Sequence, residues 1–158
     1  MDRDSYCTPE WVLEPVYRFL GTIGLDPCSG AGSIVKSVNK FTKEDDGLSK
    51  DWTKYRDIFV NPPYSKPNLS LWSAKCAESQ ESEVLLLVPA NTSAAWFQNN
   101  VFKTATSILF YNKRISFLID GASTGSPNFH SVLVYWGLEP DLFASAFRHQ
   151  GAVVHLSR

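Results

Sequence analysis

Apolar residues recur along this chain at two spacings, and the alternation between them sketches the elements. Trp11, Val12, Pro15, Val16, Phe19 and Leu20 form a stripe at helical spacing that Gly21 ends. Thr8, Pro9 and Glu10 precede it as an N-cap, a first-position proline and a first-turn acid, and Pro15 inside the stripe predicts a kink. "IGLDPCSGAGS" then reads as a short buried strand entering a tight glycine turn. "SIVKSVNKF" fits a short helix or a strand, and "TKEDDGLSKDW" is a polar loop carrying an acidic pair. "DIFV" is a strand that stops abruptly at two prolines, and residues 69–79 are helical. Residues 84–90, "VLLLVPA", form a continuous apolar run of the kind buried on both faces of a sheet. "SAAWFQNNVFK" follows as a helix capped by Thr92 or Ser93, and "SILFY", "ISFLI" and "SVLVYWG" are strands. "PDLFASAFRHQG" is a helix with Leu142, Phe143, Ala146 and Phe147 on one face and Gly151 as its stop, before a last strand, "AVVHLS". Strands alternating with helices predict an α/β domain with a mostly parallel sheet.

Composition narrows this picture. A chain of 158 residues with 44% apolar and 20% charged residues fits one globular domain. No apolar run is long enough to span a membrane, and "MDRDSYCTPEW" holds no apolar signal core, so the expected location is the cytoplasm. Cys7, Cys28 and Cys76 are odd in number and lack CxxC spacing, which predicts reduced thiols; His130, His149 and His155 form no metal-binding pattern. Fifteen basic residues against sixteen acidic ones exclude a strongly basic nucleic-acid binder but allow local basic patches.

The chemistry concentrates where strands end. A loop that only had to turn would use Gly, Asn or Asp, whereas Asn61, Pro62, Pro63 and Tyr64 hold a stiff backbone between an amide and an aromatic ring. The Asn61 amide oxygen and the Pro62 carbonyl are two acceptors for an amine offering two N–H groups, and Tyr64 is a face for a planar heterocycle. Accepting both protons favours a nitrogen lone pair that leaves the ring conjugation and points at an electrophile. "LDPCSGAGS" supplies Asp26 and a turn with Gly30 and Gly32 that matches neither dinucleotide nor phosphate-loop patterns. An acid before that turn repels a diphosphate and suits S-adenosylmethionine, which carries an ammonium, a sulfonium and ribose hydroxyls. Asp45 or Asp46 is a second acid for the ribose, with Tyr6 or Trp52 as an aromatic wall. "LDPCSG" and "VNPPY" both lie just past strand ends, so they face one crevice.

Taken in order, "YCTPEW", "LDPCSGAGS", "TKEDDGLSKDW", "FVNPPYS", "LLLVPANTSAAWF" and "RISF" resemble the phage-type, Dam-like DNA N6-adenine methyltransferases over residues 6–136. The resemblance implies a Rossmann-like methyltransferase fold and methyl transfer from S-adenosylmethionine to N6 of adenine in DNA. By it, Asn61, Pro62, Pro63 and Tyr64 are catalytic, and a target adenine in duplex DNA must be flipped out to reach them. Tyr6, Cys7, Thr8, Pro9, Asp26, Ser29 and Asp45 or Asp46 are the expected cofactor residues. The usual Phe-x-Gly-x-Gly turn of larger relatives is replaced here by Asp26, Pro27, Cys28, Ser29, Gly30, Ala31 and Gly32. No inserted segment is long enough for a separate target-recognition domain, so residues 65–70 and 112–130 are expected to read DNA. Ser65, Lys66, Lys113, Arg114, Asn128 and Ser131 are the candidates there, and short or relaxed specificity, weak affinity or a dimer is expected. No metal is expected. Marking phage DNA against a host nuclease is the role the family suggests. The same tetrapeptide also serves enzymes acting on RNA adenine or protein glutamine, and a binding or decoy protein that lost turnover is the third reading.

Overall fold

The computed structural model describes residues 4–123, 125 and 127–156. Helix α1 (Glu10–Leu20) leads into strands β1 (Ile23–Asp26) and β2 (Ser37–Lys40). Two 3₁₀ turns, Lys43–Asp45 and Gly47–Ser49, precede β3 (Asp57–Val60), α2 (Asn68–Glu78) and β4 (Glu83–Pro89). A π-helical turn, Phe97–Phe102, comes before β5 (Ser107–Tyr111), the short β6 (Leu118–Ile119) and β7 (Ala122–Ser123), β8 (Ser131–Trp136), α3 (Pro140–Phe147) and β9 (Gly151–His155).

Seven strands form one sheet in the order β2-β1-β3-β4-β8-β5-β9. β2, β1, β3 and β4 pair in parallel, whereas β8 is antiparallel to both β4 and β5, and β9 is antiparallel to β5. Five of the seven strands therefore share one direction, and only β8 and β9 oppose it. All six residues of β8 and six of the seven in β4 are buried. Side chains alternate between faces, so both faces of the sheet are covered by helices and loops. Phe19 of α1 meets Tyr135 and Phe143 edge-on at 5.2 and 5.7 Å, and Tyr135 stacks on Phe143 at 4.9 Å. These offset and edge contacts are the favoured aromatic geometries.

Several expectations change. Neither Thr92 nor Ser93 caps the turn before β5, whose N-cap is Trp96 with no side-chain cap bond, and α3 ends at Phe147 with Arg148 as its C-cap, while Gly151 opens β9. The helix starts one residue later than the Thr8 cap requires: Pro9 stands at the N-cap, and α1 runs through Pro15 to Leu20. Residues 37–40 are a strand, almost wholly exposed at the sheet edge. Of the expected strand "ISFLI", only Leu118 and Ile119 pair, with β7 in a separate ribbon, because Ile115 and Phe117 are buried in the core instead. Ser157 of the expected last strand and Ser126 of the segment before β8 lie outside the described residues.

Because β1, β3 and β4 are parallel, Asp26, Asn61 and Pro89 come out on the same edge of the sheet. Ser131 opposes Pro89 and so begins β8 on that edge as well. Gly47 is buried against the segment after β1, and a Cβ there would overlap the Pro27 carbonyl. Among the described residues, no helix is long and apolar enough to cross a membrane.

Candidate active site

Asn61 follows the last residue of β3, and its whole amide is engaged. Its Nδ2 donates to the Tyr6 carbonyl at 3.1 Å and to Thr8 Oγ1 at 3.0 Å. Its Oδ1 accepts from the Tyr64 hydroxyl at 2.9 Å, and its backbone carbonyl accepts from Cys28 Sγ at 3.2 Å. Pro62 is buried and Pro63 half-buried, so the stiff turn is packed against the body of the domain. The Tyr64 hydroxyl also reaches the Leu87 carbonyl of β4 at 3.3 Å, and burial pushes this phenol well above its ordinary pKa.

The Tyr64 ring is 1% exposed. Tyr6, Phe117 and Phe129 meet it edge-on at 5.9, 6.1 and 6.0 Å, and Tyr6 stacks on Phe117 at 5.2 Å. The open face expected from the sequence is thus covered by an aromatic box of four rings. A planar ligand reaches Tyr64 only by displacing part of that box.

Next to Asn61 lies a small cleft of about 20 Å³, lined by Tyr6, Cys7, Thr8, Asp26, Cys28, Gly30, Ser33, Val35, Phe59 and Asn61. Asp26 is 4% exposed. Burial raises its pKa to about 6, against the partial relief of the Cys28 backbone N–H at 3.2 Å and of Lys40, its register partner on β2. A buried carboxylate without a full counter-charge is a receptor for a cation. Cys7 packs beside Gly30 and Gly32, and burial raises its thiol pKa; Cys28 is shifted the same way, so neither is an activated nucleophile.

The structure brings Tyr6, Cys7, Thr8, Asp26 and Asn61 to one cleft. Pro9 is buried at the start of α1, and half-buried Ser29 ties the glycine turn to Phe41 through its backbone N–H at 2.9 Å. Asp45 and Asp46 are not in the lining: Asp45 Oδ2 caps its own turn by accepting from the Thr42 N–H and hydroxyl, and those bonds lower its pKa. Asp46 takes a left-handed backbone (φ 55°) between the two 3₁₀ turns. Trp52 is buried, donating its indole N–H to the Gly47 carbonyl at 3.0 Å.

Among the proposed DNA contacts, Ser65 is held by Asp4, which accepts from its N–H at 2.8 Å and from its hydroxyl at 2.5 Å. Lys66 is exposed. Lys113 lies over the Trp11 ring at 4.3 Å, and Arg114 donates to the Pro127 carbonyl at 3.2 Å. Asn128 is exposed, while Ser131 is buried with no hydrogen-bond partner for its hydroxyl. The Tyr111 hydroxyl, at the end of β5, is also buried and unpartnered. Sequence reasoning missed Asp4, Phe117, Phe129 and Tyr111; only the unassigned aromatics in "RISF" and "SPNFHS" carried a signal. Among the described residues, no cluster of His, Cys, Asp or Glu is arranged to hold a metal.

A half-buried amide on a Pro-Pro turn, set beside a buried acid at the carboxyl edge of this sheet, defines the class: a methyltransferase-type α/β domain. The chain belongs to the DNA N-6-adenine-methyltransferase (Dam) family, whose profile matches residues 1–138. It is 29% identical over 120 residues to a DNA N-6-adenine-methyltransferase of Escherichia phage T1, covering 75% of this chain and 49% of that protein. It is 28% identical over 137 residues to a protein of the same name from Haemophilus phage HP1 (strain HP1c1), covering 84% of this chain and 78% of that one. The chain thus spans about half the length of the phage T1 relative.

Proposed function

We propose that this protein transfers a methyl group from S-adenosylmethionine to N6 of adenine in DNA. The observation that carries the reading is the Asn61 amide, held with both Nδ2 protons bound inward and Oδ1 free to accept from an incoming amine once Tyr64 yields. Asn61 Oδ1 and the Pro62 carbonyl accept the two N6 protons, so the nitrogen lone pair turns out of the ring toward the cleft. Asp26, at the base of that cleft, fits the cationic end of the methyl donor, and Tyr6 and Cys7 wall it. S-adenosylmethionine supplies an electrophilic methyl group on a sulfonium. The cleft, with room for about 20 Å³, is far below the roughly 300–1,000 Å³ usual for ligand pockets. The donor therefore extends past it, over the exposed glycine turn at Gly30.

On the acceptor side, Tyr64 stacks on the flipped base once the aromatic box opens. The buried, unpartnered hydroxyls of Tyr111, which acts electrostatically on Tyr64, and of Ser131 are the groups we assign to base-edge contact. Lys66, Lys113, Arg114 and Asn128 are exposed and suit the DNA backbone. Sequence specificity is then short or relaxed.

The test is incubation with radiolabelled S-adenosylmethionine and unmethylated DNA, with RNA and protein acceptors in parallel, followed by nucleoside analysis. N6-methyladenine in DNA is the expected product. Label in RNA or on protein glutamine keeps the role of Asn61 and replaces the acceptor. Donor binding without transfer to any acceptor overturns the enzymatic reading.

A further inference from the structure

An asparagine amide can be held either way round, and only one way presents oxygen to an amine. What selects that orientation in this chain is therefore part of the chemistry. The Tyr6 carbonyl, which can only accept, selects it by taking one Nδ2 proton, and the Thr8 hydroxyl takes the other; both belong to the segment preceding α1. A carbonyl oxygen cannot take Oδ1 in place of Nδ2, and the Thr8 hydroxyl, able to bond either group, holds the amide in the plane that the carbonyl selects. The segment itself is anchored, because the Cys7 N–H and carbonyl pair with Leu118 at 2.8 and 2.9 Å.

Thr8 looks from its neighbours like a helix cap, yet the helix starts at Glu10 with Pro9 at the N-cap. The Thr8 side chain is 1% exposed and lies against Asn61, 53 positions away. A β-branched side chain has few rotamers, so its hydroxyl is aimed with little freedom to lose. We infer that Thr8 is a positioning residue that, beside the Tyr6 carbonyl, holds the Asn61 amide in place with Oδ1 toward the acceptor amine, rather than a ligand of the methyl donor. The inference rests on the proposed methyl transfer to adenine and adds the residue that orients its acceptor.

Thr8→Val keeps the shape and removes the hydroxyl, and Thr8→Ser keeps the hydroxyl and loosens the rotamer. With one Nδ2 proton left unsatisfied, the equilibrium preference for the productive amide position falls by a factor of roughly ten. Thr8→Val is expected to lower kcat roughly tenfold with donor affinity unchanged, and Thr8→Ser to restore most of it. In an Asn61→Ala background, Thr8→Val should cost nothing further. The side-chain amide protons of Asn61, followed by NMR, should exchange faster with solvent in folded Thr8→Val than in the wild type. Weakened donor binding with kcat intact at saturation would make Thr8 a cofactor ligand and overturn the inference. Unchanged kcat, or unchanged amide exchange, would overturn it as well. A wild type that binds donor but methylates no DNA refutes the functional reading instead, and the exchange measurement still decides the Thr8–Asn61 link.

Discussion

Asp26 offers the sharpest quantitative test, because its burial works against the domain and for its ligand. Its carboxyl has a pKa of about 6 in the fold, raised mainly by desolvation, against 3.8 as the ordinary value. A raised acid binds its proton more tightly folded than unfolded. Below about pH 4 both states are protonated and the group is neutral for stability. Between about 4 and 6 the folded state holds the proton that the unfolded state has lost, so stability falls as pH rises. Above 6 the loss is complete, at about 3 kcal/mol for a shift of about two pKa units. Asp26→Asn removes this ionisation, and should stabilise the protein by up to about 3 kcal/mol at pH 7.5 and very little at pH 4. For a domain of this size that amounts to several degrees in Tm. Urea unfolding of both proteins across this range reads it. Subtracting the two curves cancels the acid lability of Asp45 and Asp51, whose pKa values are lowered by bonds to Thr42 and Thr53. The same substitution should weaken S-adenosylmethionine, and in the wild type donor affinity should fall by up to about tenfold per pH unit below 6. Equal stability of the two proteins at pH 7.5 would refute the burial argument; donor binding indifferent to the substitution would refute the cation assignment.

Three other perturbations separate the roles of the parts. Asn61→Ala should lower kcat by about 10²–10³ with donor affinity unchanged, measured by labelled transfer and by calorimetry. Tyr64→Phe removes a hydroxyl bonded to Asn61 and Leu87. It should cost about 1 kcal/mol of stability by urea melt without raising KM for DNA, because the competitor for Asn61 Oδ1 is gone. Gly47→Ala forces a methyl group into the Pro27 carbonyl and should destabilise by about 2 kcal/mol or more, read by the fluorescence of the adjacent Trp52.

How much of this was legible depended on where burial leaves a mark. β4 reads as a strand because residues buried on both faces form an unbroken apolar run. Residues 37–40 stayed ambiguous because an exposed edge strand needs no apolar pattern. In "ISFLI" the apolar residues are real core, but Ile115 and Phe117 pack without joining the sheet, a distinction that hydrophobicity does not encode. The direction of β8 and β9 is set by connection geometry and not by side chains. At the site, the placing of Asp26 and of Asn61, Pro62, Pro63 and Tyr64 at strand ends on one edge was legible, because two prolines stop a strand and parallel strands end on the same side. The aromatic box was not, since Tyr6, Tyr64, Phe117 and Phe129 meet only through the topology. Thr8 misled for a simple reason: a hydroxyl before a helix is a cap by default, and only a partner 53 positions away assigns it elsewhere.

The pairing of Cys7 with Leu118 closes a circuit. Leu118 follows Phe117, Phe117 packs on Tyr6 and Tyr64, Tyr64 binds Asn61, and Asn61 returns to Tyr6 and Thr8 on either side of Cys7. A closed circuit of short bonds and ring packing has no single soft hinge. Rotating one ring therefore strains the links on either side of it, and these modest interactions support one another. On the proposed function, a base that displaces any one ring of the box works against the bonds of all three segments.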